Sequence, residues 1–335
     1  MRVYITLDYE LFLGKETGSV DECLIRPTNR LESYLSNLSE NAKIVFFVDA
    51  LFLLRLRELT SVSSKLKDEF ERIVSQLQSL SIKGHDIQLH LHPQWFYSEY
   101  DFVDEKWILD FEHYRLEDCP QDDVDKMVQT GVELLESITG IRPTAYRAGG
   151  YSFPQAPEYI AVLKKYGISE DSSVFMGKKA SGKYQQYDYS MIKNYQPYSF
   201  SQSVICADSD GSFTEYPISV IRVNPFCYFF VLLTEKFKCG VGLRIMGDGK
   251  GIGTTSPRWK RAFTHLLKLF KPVYMPASLD GINSYWLETV YRRVVKKRSE
   301  VMVLMGHPKL LTEYSLHRLG EFLMKSQCTC AIFRR

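Results

Sequence analysis

Short β-forming runs alternate with helical patterns along this chain, the order that a parallel sheet or barrel covered by helices requires. RVYITLD reads as a first strand ending at Asp8, KIVFFVDA as a second, HDIQLHLH as a third, TAYRA as a fourth and EVMVLMGHP as a buried late strand. Between them, Thr28 is placed to cap a helix that carries Leu31, Tyr34, Leu35 and Leu38 at helical spacing. Residues 51–83 read as mainly helical, broken near TSVSS. Asp122 or Asp123 starts a further helix that ends at Gly140 with Pro143 beyond. From about 177 to 253 the pattern loosens into Ser, Gly, Tyr and Lys with a few β runs, of which YPISVI is the clearest, and irregular strands and loops are expected there. Helices are expected again over 257–270 and 281–297, followed by a last helix and the strand TCAIF. No repeat or low-complexity linker divides the chain, so 1–335 is expected to form a single elaborated domain.

With 335 residues, 45% of them apolar, the chain can bury a large core. Lysine and arginine total 42 against 40 acids, a formal charge of +2, which leaves no electrostatic footprint for a nucleic acid. MRVYITLDYELFLG passes directly into alternating β-formers and charges rather than an export signal, and NPFCYFFVLL falls short of the ~18 apolar residues of a membrane span. A cytoplasmic protein is the expectation. Of seven cysteines only Cys328 and Cys330 lie close together, one residue apart, and reduced thiols are expected.

Side chains two apart on a strand share a face, so His90 and His92 can both point at one centre, as two ligands of one metal must. His85 faces the other way and reads as a satisfied core or surface residue. Neutral imidazole suits zinc and its first-row neighbours, and a third ligand, usually a carboxylate, leaves a position open for water. Asp8 and Glu10, again two apart, can supply it from the mouth of a parallel barrel, one ligating and the other taking a proton. Arg147, at the end of the fourth strand and before two glycines, can clamp the carboxylate base through a bidentate pair. Asp171 and His307 each stand at or just after a strand end, and an acid near a histidine raises its pKa and makes it a proton donor.

In its ordered motifs TLDYEL, GHDIQLHLH, YRAGGYS, GISEDSSVF and VLMGHP, from Arg2 to about His307, the chain resembles the polysaccharide deacetylases of the NodB-homology type, carbohydrate esterase family four. The resemblance implies an irregular (β/α)7 barrel, here with a loop- and strand-rich insertion over 177–253. It implies Asp8 as catalytic base, Arg147 as its orienting partner, Asp171 as the tuner of His307, and His307 as catalytic acid. Two departures stand out. Tyr9 occupies the place of the family's second, metal-ligating aspartate, so the ligand role passes to Glu10, with Asp8 as the alternative. The family's ligand histidines are four apart, but Gln94 stands four after His90, so His92 must substitute. The pattern is closest to a WbmS-like bacterial branch found among O-antigen and capsule genes.

The aromatic run after the histidines offers Trp95, Tyr97, Tyr100 and Trp107 as rings for stacking on sugar faces, core packing being the other fate of such rings. Trp95 and Tyr97, with Tyr151 of YRAGGYS, form the expected substrate-binding set. Together these features lead to the expectation of a metal-dependent hydrolase, using Zn2+ first and Co2+, Ni2+ or Mn2+ next, that removes an N-acyl group from an amino sugar or polysaccharide precursor. Two other readings stand beside it, a glycosidase using the strand-end carboxylates and a carbohydrate-binding relative without activity.

Overall fold

The computed structural model describes residues 1–39, 41–252, 272–326 and 328–333. The chain opens with β1 (Arg2–Tyr9), α1 (Arg26–Leu38), β2 (Val45–Asp49), α2 (Ala50–Glu58), α3 (Ser64–Ile82) and β3 (Asp86–Leu91). A small ribbon, β4 (Glu99–Asp101) and β5 (Lys106–Ile108), precedes α4 (Gln121–Thr139), β6 (Ala145–Ala148), α5 (Pro157–Lys165) and β7 (Glu170–Asp171). A second ribbon, β8 (Lys179–Gly182) and β9 (Gln185–Asp188), is followed by β10 (Tyr198–Phe200), β11 (Phe213–Glu215), β12 (Val220–Val223) and α6 (Pro225–Cys239). The remaining elements are β13 (Val273–Pro276), α7 (Leu287–Lys296), β14 (Val301–Leu304), α8 (Glu313–Lys325) and β15 (Thr329–Ala331).

The main sheet runs β10-β11-β7-β6-β3-β2-β1-β14, with β15 also paired to β1. All of its pairings are parallel except β10 with β11. β1, β2, β3, β6 and β14 are buried almost throughout, as strands covered on both faces must be, which is why they read as near-continuous apolar runs. Three strand spacings separate β6 from β1, about 14 Å in a flat sheet. Arg147 of β6 nevertheless reaches Asp8 of β1 at 2.6 Å, so the sheet curls into a half-barrel that brings those strands face to face. The architecture is the irregular β/α barrel of the NodB type.

Several local expectations change. Helix α1 starts at Arg26, with Pro27 in its first turn, directly after a π-helical turn over Asp21–Ile25, so Thr28 lies buried inside it instead of capping it. The break near TSVSS falls at 59–63, where the Ser63 side chain accepts from the Leu66 amide and caps α3. In the loosely patterned stretch, β11 joins the main sheet beside β7, and NPFCYFFVLLTEKFKC forms a helix, α6, capped by Asn224. Apolar residues on every side of that segment obscure a 3.6-residue period, and Phe226, Phe230, Leu233 and Phe237 remain exposed. The helix expected over 257–270 lies outside the described residues, and 281–297 begins as a 3-10 turn before α7. Among the described residues no helix is long and apolar enough to cross a membrane.

Alternation along β1 sends Tyr9 away from the barrel interior, where its hydroxyl donates to Gln76 Oε1 at 2.7 Å on α3. His85 is a core residue whose Nδ1 accepts the Ile44 amide at 3.2 Å, so the ring is neutral. Burial, with Lys43 nearby, pushes its pKa down to about 4, against about 6.5 for an unfolded histidine. The stability held by the neutral ring is therefore intact above pH ~6.5 and is lost as the pH falls toward ~4. Between neutrality and pH ~5 urea unfolding should register a loss on the order of 2 kcal/mol from this group. His85→Asn, which keeps an acceptor for Ile44, should flatten that slope; an unchanged slope would show that the ring does not titrate this way.

Candidate functional site

The carboxyl ends of β1, β2, β3 and β6 meet at one mouth of the half-barrel, the end where open α/β folds gather their functional groups. Asp8, Asp49, His90 and Arg147 stand on the strands, with Glu10 and His92 just beyond β1 and β3. His307 follows β14. Beside them lies a cavity of about 610 Å3 lined by Asp8, Glu10, His90, His92, His307 and Lys309, with Tyr151 and Gln94 on its walls.

Glu10, His90 and His92 present ligand atoms that all lie within 4.8 Å of one another, and all three residues are buried. Both imidazoles converge on one oxygen: His90 Nε2 and His92 Nδ1 each lie 3.1 Å from Glu10 Oε2. His90 Nδ1 lies 2.7 Å from the Arg147 carbonyl, which can only accept, so Nδ1 carries a proton and Nε2 is the nitrogen turned to Glu10. The His92 ring, nearly perpendicular to that of His90, is oriented by Asp49, whose Oδ2 lies 3.1 Å from Nδ1 and whose Oδ1 accepts the His92 amide at 3.4 Å. Imidazole nitrogen and carboxylate oxygen are the donors that zinc and its neighbours take, so the chemistry of this set fits a divalent ion. Gly149 presses on His92 so closely that a Cβ there would meet the ring at 2.6 Å, which explains the first glycine of YRAGGYS. Tyr151 follows in the left-handed region at φ 63°, a strained conformation for a side-chain-bearing residue beside a functional cavity.

Asp8 does not join the two histidines. Its Oδ1 takes Arg147 Nη1 at 2.6 Å, and its Oδ2 lies 3.6 Å from His307 Nε2. The bidentate clamp expected of Arg147 is single: Nη2 goes to Thr6 Oγ1 and Ser172 Oγ, and Nε to the Ser172 carbonyl. Burial pushes the Asp8 carboxyl up, but Arg147, His90 and His307 outweigh it and hold the pKa below the ordinary value. Burial also opposes ionisation of Glu10, and Lys309 with the histidines holds it well below.

The expected pairing of Asp171 with His307 is corrected. β7 is only two residues long, and its parallel pairing with β11 turns Asp171 to Ser173 and toward Glu215, its register partner. Burial raises both carboxyls, and the neighbouring Asp171 charge raises Glu215 furthest, so the pair keeps a proton. The carboxylate on His307 is Asp280, just after β13: its Oδ2 lies 3.0 Å from Nδ1 and its Oδ1 accepts the His307 amide at 2.9 Å. Burial disfavours the imidazolium, yet Asp280, Asp8 and Glu10 outweigh it and raise the His307 pKa to about 9. The aromatic expectation is corrected too. The turn Pro93–Trp95 points Trp95 into the core against Phe52 and Trp107, while Tyr97 donates to Asp123 Oδ2 and stacks on His113, away from the cavity.

Asp49, Asp280 and Lys309 complete the site without having been anticipated. Asp49 is the last residue of β2, within KIVFFVDA, so the strand-end logic that found Asp8 could have found it. Lys309 stands two after His307, and its Nζ donates to Glu10 Oε1 and to the Leu11 carbonyl at 2.7 Å each. Gln94 is 1% exposed and lines the cavity with neither amide atom hydrogen-bonded.

No family model matches the chain, and no curated protein matches it. Among solved structures, a Mycobacterium smegmatis protein provisionally assigned as a polysaccharide deacetylase superposes with a TM-score of 0.51 at 15% identity, over 98% of this chain and 86% of its own. GH57 branching enzymes of Thermococcus kodakaraensis and Pyrococcus horikoshii give TM-scores of 0.52 and 0.51 at 11% and 10% identity, over 99% of this chain and 70% and 68% of theirs. At such identities the likeness is one of fold.

Removing the Arg147 charge leaves buried Asp8 without its hydrogen-bonded partner, with only His307 at 3.6 Å, so Arg147→Met should cost about 3–5 kcal/mol in urea unfolding. The double change Asp8→Asn with Arg147→Met should recover part of that loss. A single variant as stable as the parent would show that the pair contributes nothing to the fold.

Proposed function

We propose that this chain is a metal-dependent hydrolase that removes an N-acyl group, acetyl first, from an amino sugar. The observation that carries the reading is the convergence of Glu10, His90 and His92 on one point, with Asp8 and His307 beside them on the same cavity, each paired from behind by Arg147 and Asp280 respectively. The fold shared with the M. smegmatis protein assigned as a polysaccharide deacetylase supports it. Glu10, His90 and His92 hold the ion, Zn2+ by preference and Co2+, Ni2+ or Mn2+ as alternatives. The ion supplies Lewis acidity toward the acyl oxygen and the attacking water. Asp8, kept ionised by Arg147, takes a proton from that water through the oxygen that Arg147 leaves free. His307, kept protonated by Asp280, passes its proton to the departing nitrogen. Tyr151 offers its ring and hydroxyl to the sugar from the cavity wall.

The GH57 neighbours share the fold, yet a glycosidase needs one carboxyl kept protonated as the acid. Asp8 and Glu10 are both held ionised, which favours amide hydrolysis over glycoside cleavage. We further read the chain as one catalytic domain of a WbmS-like branch, acting in the cytoplasm on precursors of a bacterial surface polysaccharide; seven unpaired cysteines accord with a reducing compartment.

His90→Ala should abolish both tight metal binding and acetate release from acetylated nucleotide sugars or chitooligosaccharides. Asp8→Asn should keep the metal and lose rate by about 10²–10⁴-fold. Metal content by elemental analysis and released acetate read the two separately. A chelated His90→Ala protein that still releases acetate at the parental rate refutes the assignment, and reducing ends appearing without acetate point to glycoside cleavage.

A further inference from the structure

Glu10 is held from two sides. One oxygen faces the two imidazoles, and the other accepts Lys309 Nζ at 2.7 Å. Lys309 is 5% exposed, donates also to the Leu11 carbonyl, and lies 5.0 Å from the Phe12 ring. Burying an ammonium is costly unless it is paired and hydrogen-bonded, and here the charge that pairs it belongs to a member of the candidate metal centre.

We infer that Lys309 is an internal cation that competes with a divalent ion for the charge of Glu10 and so sets how tightly the Glu10–His90–His92 group takes metal. The inference rests on the metal-centre reading above. Without metal, the ammonium neutralises Glu10 and lets the buried carboxylate and both rings keep their arrangement. With a divalent ion held by Glu10, His90 and His92, the ammonium and the ion would both draw on the charge of one carboxyl.

Two effects of losing Lys309 oppose each other. Lys309 also orients Glu10, and losing a supporting hydrogen bond on a metal ligand costs about 10–100-fold in affinity. The repulsion between +1 and +2 across a carboxylate, even at an effective dielectric of about 20, exceeds that. Removal of the charge should therefore tighten metal binding.

The test is the Zn2+ affinity of the full chain by chelator competition. Lys309→Met and Lys309→Gln should bind zinc at least about tenfold more tightly than the parent, while Lys309→Arg, which keeps the charge, should stay within about threefold. The Gln variant retains a donor for Glu10 and so separates charge from orientation. Thermal unfolding with and without Zn2+ gives a second readout, in which zinc should raise the melting point further in the Met and Gln variants than in the parent. A parent that takes no zinc while Met and Gln variants do supports the inference in its extreme form. Equal or weaker binding by both neutral variants overturns it and leaves the metal centre standing. No zinc in the parent or any Lys309 variant, with His90→Ala indistinguishable from them, overturns both.

Discussion

A guanidinium with no solvent exposure lies across the inside of the curled sheet. Arg147 is 0% exposed, and its burial is offset by Asp8, Thr6 and two atoms of Ser172, with the Phe47 ring 4.3 Å from the guanidinium carbon. Those partners sit on β1, on β2 and immediately after β7, so satisfying one side chain requires strands from both arms of the half-barrel to face one another. Arg147 also acts through its backbone: its carbonyl accepts a hydrogen bond from His90 Nδ1 and so turns Nε2 toward Glu10. Curl of the sheet, ionisation of Asp8 and orientation of His90 thus depend on one residue.

Around the cavity each acid has its own cationic or imidazole partner: Asp8 with Arg147, Glu10 with Lys309, Asp280 with His307 and Asp49 with His92. Deeper along the same sheet, Asp171 and Glu215 face one another and retain a proton because burial, and for Glu215 the charge of Asp171, is not outweighed. The same residue type, at successive strand ends, is held in opposite states by what its neighbours bring. On the cavity, Asp8 and Glu10 are both held ionised.

The period of two along strands made much of this site legible. Asp8 and Glu10, His90 and His92, and Arg147 all stand at ends of runs whose β character was plain, and all five gather at one mouth. The same period explains Tyr9, turned outward to Gln76. What escaped did so for specific reasons. Asp280 follows a strand in a stretch with weak patterning, and Lys309 is an ordinary charged residue until folding buries it. Asp171 occupied the right place in chain order, but a two-residue strand aimed it elsewhere. Trp95 sat beside the histidines in sequence, and a single 3-10 turn carried its ring into the core.

By itself the sequence determined the alternation of strands and helices, and with it which side chains would stand at strand ends and which would share a face. Those properties are local, set by backbone periodicity and the burial preference of each run. Only the tertiary structure decided which ends meet: that Glu10 and not Asp8 joins the histidines, that Asp280 serves His307, and that Lys309 is drawn onto Glu10. Such pairings depend on the curl of the sheet and on the desolvation of charges hundreds of residues apart along the chain, and no local pattern encodes either.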